Sequence, residues 1–334
     1  MQIAFPLLRV GIASAAWLLL TGCEGLQSTL APQGPAARSI ANISWVMFIG
    51  AAVVLALVMA LALVAVLRAP AKRRGISDGM LIAVGGFAWP VLTLSALLVY
   101  GVYQMGDLRA DDPEDMLRIE VIGNQWWWEV RYPGRDGAPD AVTANEIHIP
   151  AGVPVAVALR SRDVIHSFWV PNLAGKMDLI PGRTNHLRLQ ADAPGRFRGQ
   201  CAEFCGAQHA RMAFLVVAEP PERFAAWLAA QRRPAAPPAG EAAQRGYAAF
   251  AQHCSACHSV RGLLEGTGVD IGPDLTHLGS RAFIGAGTLE NTPGSLRRFV
   301  ADNQRVKPGN RMPDFGHLDE ATLTALVAYL EELR

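Results

Sequence analysis

Charge imbalance is almost absent from this sequence. Thirty basic and 29 acidic residues leave a formal net charge of +1 over 334 residues, so nothing in it supplies the electrostatic footprint of a nucleic-acid binder. Cysteine is scarce too. The five present are Cys23, Cys201, Cys205, Cys254 and Cys257, and the last four form two pairs, each with a histidine close behind. That spacing points away from a disulfide framework and toward ligands and attachment points. Apolar residues, by contrast, are plentiful. At 51% they stand at the upper edge of the globular range, so part of the chain is expected to meet lipid. The length gives room for two or three units at roughly 100–200 residues each.

Residues 1–22 read as an export signal. Arg9 supplies the positive charge, Val10 to Leu20 form a short apolar core, and Thr21 and Gly22 precede Cys23. The run Leu20-Thr21-Gly22-Cys23 resembles the bacterial lipoprotein processing box, which would make Cys23 the lipidated first residue of the mature chain; the alternative is an incidental cysteine behind an ordinary signal. After an extracytoplasmic segment 23–42 come two longer apolar stretches, 43–67 and 80–103. Each exceeds the ~20 residues that cross ~30 Å of hydrocarbon. The connector 68–79 carries Arg68, Lys72, Arg73 and Arg74, which places it in the cytoplasm and sends all that follows the second span outside. Pro90 interrupts the second span, a break that neighbouring helices can accommodate in a membrane.

From about Leu117 to Ala218 the texture changes to short alternating runs with turn punctuation. Leu117 to Val121, Trp126 to Tyr132, the turn Pro133 to Gly137 and Val153 to Leu159 together predict an antiparallel sandwich or barrel. Near its end Cys201, Cys205, His209 and Met212 fall within twelve residues, and His166 lies 35 residues before Cys201 on a predicted strand end. Two thiolates, two imidazoles and a thioether form a soft ligand set suited to copper. Taken singly, Cys201 and Cys205 could instead pair as a disulfide, and Met212 could simply fill the core. His148 and His186 sit on strand-like runs with no ligand partner nearby in sequence and are read as structural.

The spacing C-x-x-x-C-x-x-x-H-x-x-M resembles the binuclear copper A domain of cytochrome oxidase subunit II. So do Asp163 to Phe168, Gly123 to Trp128, Val170-Pro171-Asn172, Ile180 to Arg183 and the preceding two-helix hairpin. The resemblance runs from about Ile43 to Ala218. It implies a cupredoxin-like domain over 104–230, in which Cys201 and Cys205 bridge two copper ions and His166 and His209 each bind one. Met212 would be a weak ligand, and Glu203 would offer its backbone carbonyl. It further implies that the Glu203 carboxylate helps to hold a magnesium or manganese ion at the boundary with subunit I, and that Trp126 receives electrons from a cytochrome c. One departure stands out: many relatives carry a glutamate near the cytoplasmic start of the second span, linked to a proton path, where this chain has Leu81-Ile82-Ala83-Val84-Gly85-Gly86.

Residues 231–240 form a Pro/Ala linker, expected to be extended and semi-rigid. Behind it, a helix predicted over Glu241 to Gln252 runs into Cys254-Ser255-Ala256-Cys257-His258. C-x-x-C-H is the c-type haem attachment signature: the two thiols join the vinyl groups and His258 becomes the proximal iron ligand. The redox-dithiol alternative is disfavoured by that histidine and by the absence of a thioredoxin-like βαβ pattern. Met312 is the only methionine after the motif and the favoured second axial ligand. His277 and His317 are its rivals, and His253 is read as a surface residue. The domain 241–334 resembles class I cytochromes c, including Gly272-Pro273-Asp274-Leu275, whose proline segment buttresses the proximal histidine in that family.

The expected protein is thus a multidomain membrane protein: a two-helix transmembrane hairpin, an all-β cupredoxin-like sandwich and an all-α class I cytochrome c domain. It resembles subunit II of the caa-type haem-copper oxidases, in which the donor is tethered. The implied function is to pass electrons from a fused haem c through binuclear copper to the haems of subunit I. The complex, a cytochrome-c oxidase, would reduce O₂ to water and translocate protons. The implied partners are subunits I and III, a cytochrome c or another respiratory donor, and the bacterial inner membrane, with the copper and haem domains on the periplasmic side. The competing readings are a membrane-bound copper and haem electron-transfer protein or copper assembly factor outside any oxidase, and a nitrous-oxide-reducing enzyme. The last would need a histidine-rich region that eight histidines do not provide.

Overall fold

The computed structural model describes residues 25–67, 77–105, 116–134, 139–264 and 271–334. The export signal, Cys23, the basic residues Arg68 to Arg74 and the turn residues 135–137 lie outside the described residues. The chain divides into two compact units, one made of residues 38–113 and the other of the remainder.

The first unit is built on two helices long and apolar enough to span a membrane: α1, Pro35–Leu67, and α2, Asp78–Met105. Helix α1 begins eight residues before the stretch expected from hydropathy, so part of the segment 23–42 is helical. Proline at a helix start loses nothing, because its missing N–H would have had no partner there. Helix α2 begins after Ser77, whose hydroxyl accepts from Met80 N–H at 3.2 Å. Its residues Leu81–Ala88 wind more widely, with the Trp89 N–H bonded to Val84 O. That wide turn lies immediately before Pro90, and local π turns are a recognised way for a helix to absorb a proline. The Thr93 hydroxyl then donates to Trp89 O at 2.9 Å.

The second unit holds a β-sandwich and a helical module. The sandwich strands are β1, Arg118–Asn124; β2, Trp127–Pro133; β3, Pro139–Ala144; β4, Glu146–Pro150; β5, Val155–Ser161; β6, His166–Trp169; β7, Met177–Leu179; β8, Asn185–Leu189; β9, Gly195–Cys201; and β10, Ala213–Glu219. They form two five-stranded sheets, β3-β2-β1-β5-β8 and β4-β10-β9-β6-β7. The sheets are mixed rather than purely antiparallel, because β1 runs parallel to β5 and β4 parallel to β10. Both are long-range pairings that local alternation cannot reveal. Between the sheets Trp128, Phe168 and Phe214 are fully or almost fully buried, with ring centroids 4.6–6.1 Å apart. The N-terminal strap is tied to this domain: Asn172 Nδ2 donates to the carbonyls of Ser28 and Ala31 at 3.0 Å, and Gln33 N–H donates to Asn172 O at 2.7 Å.

After β10 comes helix α3, Pro221–Gln231, then the linker. The linker is not a free extended tether. Ala235 is buried, its N–H donates to Arg261 O at 3.0 Å, and the Arg261 guanidinium donates to Gln231 O at 2.6 Å. The helical module comprises α4, Glu241–His253; α5, Pro293–Ala301; and α6, Glu320–Glu332, with a two-stranded ladder between Phe283–Ile284 and Leu289–Glu290. Its core forms where Tyr247 and Phe250 of α4 meet Tyr329 of α6 edge to face, at 5.6 and 5.4 Å.

Candidate copper and haem sites

The β6 and β9 strands bring together residues that are far apart in sequence. His166 opens β6, and Cys201 closes β9 opposite Phe168. The loop from β9 to β10 then returns Cys205, His209 and Met212 to the same place, held by Cys201 N–H donating to Met212 O at 2.9 Å. Ligand atoms of His166, Cys201 and Cys205 all lie within 4.8 Å of one another, and all three residues are buried. Cys201 Sγ is 3.9 Å from His166 Nδ1, 3.2 Å from Glu203 O and 3.7 Å from Cys205 Sγ. Cys205 Sγ is in turn 3.7 Å from both His209 Nδ1 and Met212 Sδ. The two thiols are free, not a disulfide.

Electrostatics favours a cation here. The hydrogen bond with Cys205, together with His166 and two backbone groups, outweighs burial and holds the Cys201 thiol well below its ordinary value. The Cys205 thiol is pushed far up by that same Cys201 contact and by burial. The pair thus gives up one proton readily and the second with difficulty, and a bound soft metal supplies the positive charge that removes the second. Asp163, a residue with no role expected from the sequence, faces the outer nitrogen of His166: its carboxylate accepts from Nε2 at 2.8 Å and from Gln125 N–H at 2.7 Å. Burial pulls the His166 imidazolium down, but Asp163 and Cys201 more than reverse this. With Nε2–H donated to Asp163, Nδ1 is left to face the sulfurs, an arrangement common behind metal-binding histidines. Gly123 backs the ring, where a Cβ would lie 2.7 Å from His166 Cδ2. The Glu203 side chain is exposed.

On the helical module, Cys254, Cys257, His258 and Met312 line one cleft of ≈ 940 Å³ of atom-free space. His258 Nδ1 donates to Pro273 O at 2.8 Å, so the proton sits on Nδ1 and Nε2 keeps a lone pair. Burial, with Arg281 adding to it, holds this imidazole below its ordinary value and keeps it neutral, as an iron ligand must be. Burial also pushes the Cys254 thiol up to about 11. Gly272 backs His258 as Gly123 backs His166, since a Cβ there would lie 2.6 Å from His258 Cε1. Met312 is held by its N–H donating to Asn310 Oδ1 at 2.8 Å and by Gln304 Nε2 donating to its carbonyl at 2.9 Å. Its rivals lie elsewhere: His277 is buried against Arg233 O and His317 is exposed. His253 corrects the surface reading, because it lines the cleft and meets Phe315 at 6.4 Å.

The same cleft is lined by Gln125, Trp126 and Trp127 of the sandwich. Trp126 is half-buried, and its indole N–H donates to Cys205 O at 2.9 Å. It therefore touches both sites. Lys307 Nζ, buried at the seam between sandwich and helical module, donates to Trp126 O, Arg211 O and Gly285 O at 3.0, 2.9 and 3.2 Å. Burial, with Arg211 adding to it, pulls its ammonium down to about 7. His148, read from the sequence as having no partner nearby, has two acidic ones. It is buried between Glu146 at 2.8 Å and Glu219 at 2.9 Å, and its ring stacks on Trp227 at 3.9 Å. His186 is exposed on β8.

Comparison with known proteins agrees with this division. Residues 139–219 match the family "Cytochrome C oxidase subunit II, periplasmic domain", and residues 243–334 match "Cytochrome c". Cytochrome c oxidase subunit 2 of Alkalihalophilus pseudofirmus is 35% identical over 335 residues, covering 95% of this chain and 94% of that protein. The subunit 2 of Bacillus sp. (strain PS3) is 34% identical, covering 74% of this chain and 73% of that protein. A crystal structure of the periplasmic domain of subunit II of cytochrome oxidase from Bradyrhizobium japonicum is 30% identical, covers 36% of this chain and 96% of that one, and has a TM-score of 0.33. Two candidate spans, a sandwich with buried soft ligands and a C-x-x-C-H cleft fit the relationship in sequence, and the chain belongs to the cytochrome c oxidase subunit 2 family, as a member with a cytochrome c domain behind its copper domain.

Proposed function

We propose that this subunit conducts electrons from a haem c on its helical module, through a binuclear copper centre in its sandwich, to the haems of subunit I, for reduction of O₂ to water coupled to proton translocation. One observation carries the reading: Trp126 lines the haem cleft while its indole N–H donates to the carbonyl of Cys205. Bound there, haem iron and a thiolate-bridged copper pair would each take up and release a single electron.

Each residue then has a defined task. Cys201 and Cys205 would offer thiolates to copper, His166 and His209 imidazoles, Met212 a thioether, and Glu203 its backbone carbonyl. Asp163 fixes the His166 ring. Cys254 and Cys257 would hold a haem covalently, and His258 and Met312 would offer it an imidazole and a thioether. Trp126 spans the two sites as the point at which the copper domain receives electrons. The exposed Glu203 carboxylate is free to help hold a magnesium or manganese ion at the subunit I boundary. The spans anchor the subunit in the bacterial inner membrane, with copper and haem modules in the periplasm, alongside subunits I and III and a respiratory donor such as a soluble cytochrome c. Both copper-site thiols are buried, which supports an electron-transfer centre over a copper carrier that must expose its thiols to exchange metal.

Metal analysis and the visible to near-infrared spectrum of the full chain in detergent test this. Two coppers with a mixed-valence near-infrared band and one covalent haem are expected. Haem without paired copper would overturn the copper assignment and leave a membrane-bound cytochrome.

A further inference from the structure

The segment 306–308 of the helical module and the segment 208–211 of the sandwich hold each other reciprocally. Gln208 Nε2 donates to Pro308 O, the Arg211 guanidinium donates to Val306 O at 2.5 Å, and Lys307 Nζ donates back to Arg211 O at 2.9 Å. Lys307 is 4% exposed, and its other two acceptors, Trp126 O and Gly285 O, sit on opposite sides of the seam. The location matters as much as the number of bonds. Segment 208–211 contains His209 and ends beside Met212, whereas 306–308 leads into the loop that presents Met312. Two further bonds cross nearby, Ala213 N–H to Ala286 O and Ala282 N–H to Glu146 Oε2, both at 3.0 Å.

We propose that Lys307 is the positioning residue of interdomain electron transfer: by tying three converging carbonyls from both modules, it locks the haem-side methionine loop onto the copper-side ligand loop and fixes the haem cleft over Trp126. The functional part of this inference rests on the electron-transfer reading above; the lock itself does not. A primary amine at this point supplies three donors when charged and two when neutral, so the ammonium ties all three carbonyls and the neutral amine only two. Once locked, handover is a first-order event within one molecule, set by a fixed distance rather than by a search at the effective concentration of a tether. Wherever the lock opens, the apparent rate falls in proportion to the fraction of molecules still closed.

The test compares the full chain with Lys307→Met and Lys307→Arg, using two readouts. The first is hydrogen exchange at the crossing amides of Ala213 and Ala282, which reports the seam without any electron transfer and therefore stands apart from the functional reading. The second is the rate of copper reduction after flash reduction of the haem in the loaded protein. Lys307→Met is expected to speed exchange at both amides, to leave helices α4 and α6 protected, and to slow handover about tenfold. Lys307→Arg should behave likewise, because a planar fork cannot aim at three carbonyls converging on one nitrogen. Unchanged exchange in Lys307→Met would overturn the lock. So would an arginine variant that stays closed, which would reduce Lys307 to a simple charge, or loss of protection throughout the helical module, which would make it an ordinary fold residue. An opened seam with undiminished handover would overturn the positioning role alone.

Discussion

The copper site and the haem cleft sit within one compact unit, yet the chain prepares them differently. On the sandwich side the ligands lie within contact distance of one another, His166 and Met212 fully buried at the junction of β6, β9 and the loop after it. On the helical side Cys254, Cys257, His258 and Met312 are only half-buried and stand around an open volume. A sheet fixes side chains through its ladder before any ligand arrives, whereas a short helical module of three main helices leaves a hollow that its prosthetic group fills. The candidate copper ligands are therefore prearranged, whereas the residues of the C-x-x-C-H cleft stand around a space still to be filled.

Removing the haem anchors should break the comparison most completely. Cys254→Ala combined with Cys257→Ala is expected to abolish covalent haem and the cooperative unfolding of the helical module, while the sandwich keeps its own transition. Haem staining under denaturing conditions, with calorimetry, reads both effects. The paired glycines sharpen the contrast at smaller scale. Gly123→Ala drives a methyl group against a His166 ring with nowhere to go and should cost the copper-free sandwich ~2–3 kcal/mol. Gly272→Ala meets a ring on the wall of a cleft that can yield, and should cost the haem-loaded module ~1 kcal/mol or less, by denaturant titration.

Asp163→Asn acts on orientation rather than packing. It should leave the fold intact and weaken copper binding roughly 10- to 100-fold in a competition titration, with the haem spectrum unchanged. The smallest effect concerns pH at the seam. Burial raises the Glu146 carboxyl, but His148, the Ala282 N–H and Arg281 outweigh it and hold it below its ordinary value. A carboxyl lowered in the folded state stabilises fully above its unfolded value of 4.5 and loses that contribution as pH falls through the folded one. Acidification below that range should thus separate the two modules' melting transitions, and Glu146→Gln should blunt the change.

Much of the candidate site was legible because its signals are local. C-x-x-C-H places two thiols and an imidazole on one turn, and C-x-x-x-C-x-x-x-H-x-x-M gathers four ligands on one loop. Rivals of Met312 could be ranked by chemistry, and the fold then placed His277 and His317 away from the cleft. Other features left no local trace. Asp163 lies three residues before His166, a spacing unremarkable until the strand turns both toward one point. Lys307 reads as one more surface lysine, and nothing in its neighbourhood signals that the partners of its ammonium lie 96 and 181 residues away. His148 was read as having no partner nearby, yet Glu146 lies two residues away, and Glu219 reaches it across the parallel pairing of β4 with β10.

The sequence alone determined the two apolar helices, the alternating strands, the C-x-x-C-H turn and the loop that carries Cys205, His209 and Met212, since each depends on hydropathy, periodicity or spacing over a few residues. Tertiary structure decided which parallel pairings close the sandwich, that the Pro/Ala linker packs down instead of swinging free, and that the haem cleft opens onto Trp126. Those outcomes depend on surfaces complementary across the whole chain, and a pattern read residue by residue carries no information about which buried carbonyls will converge on one amine.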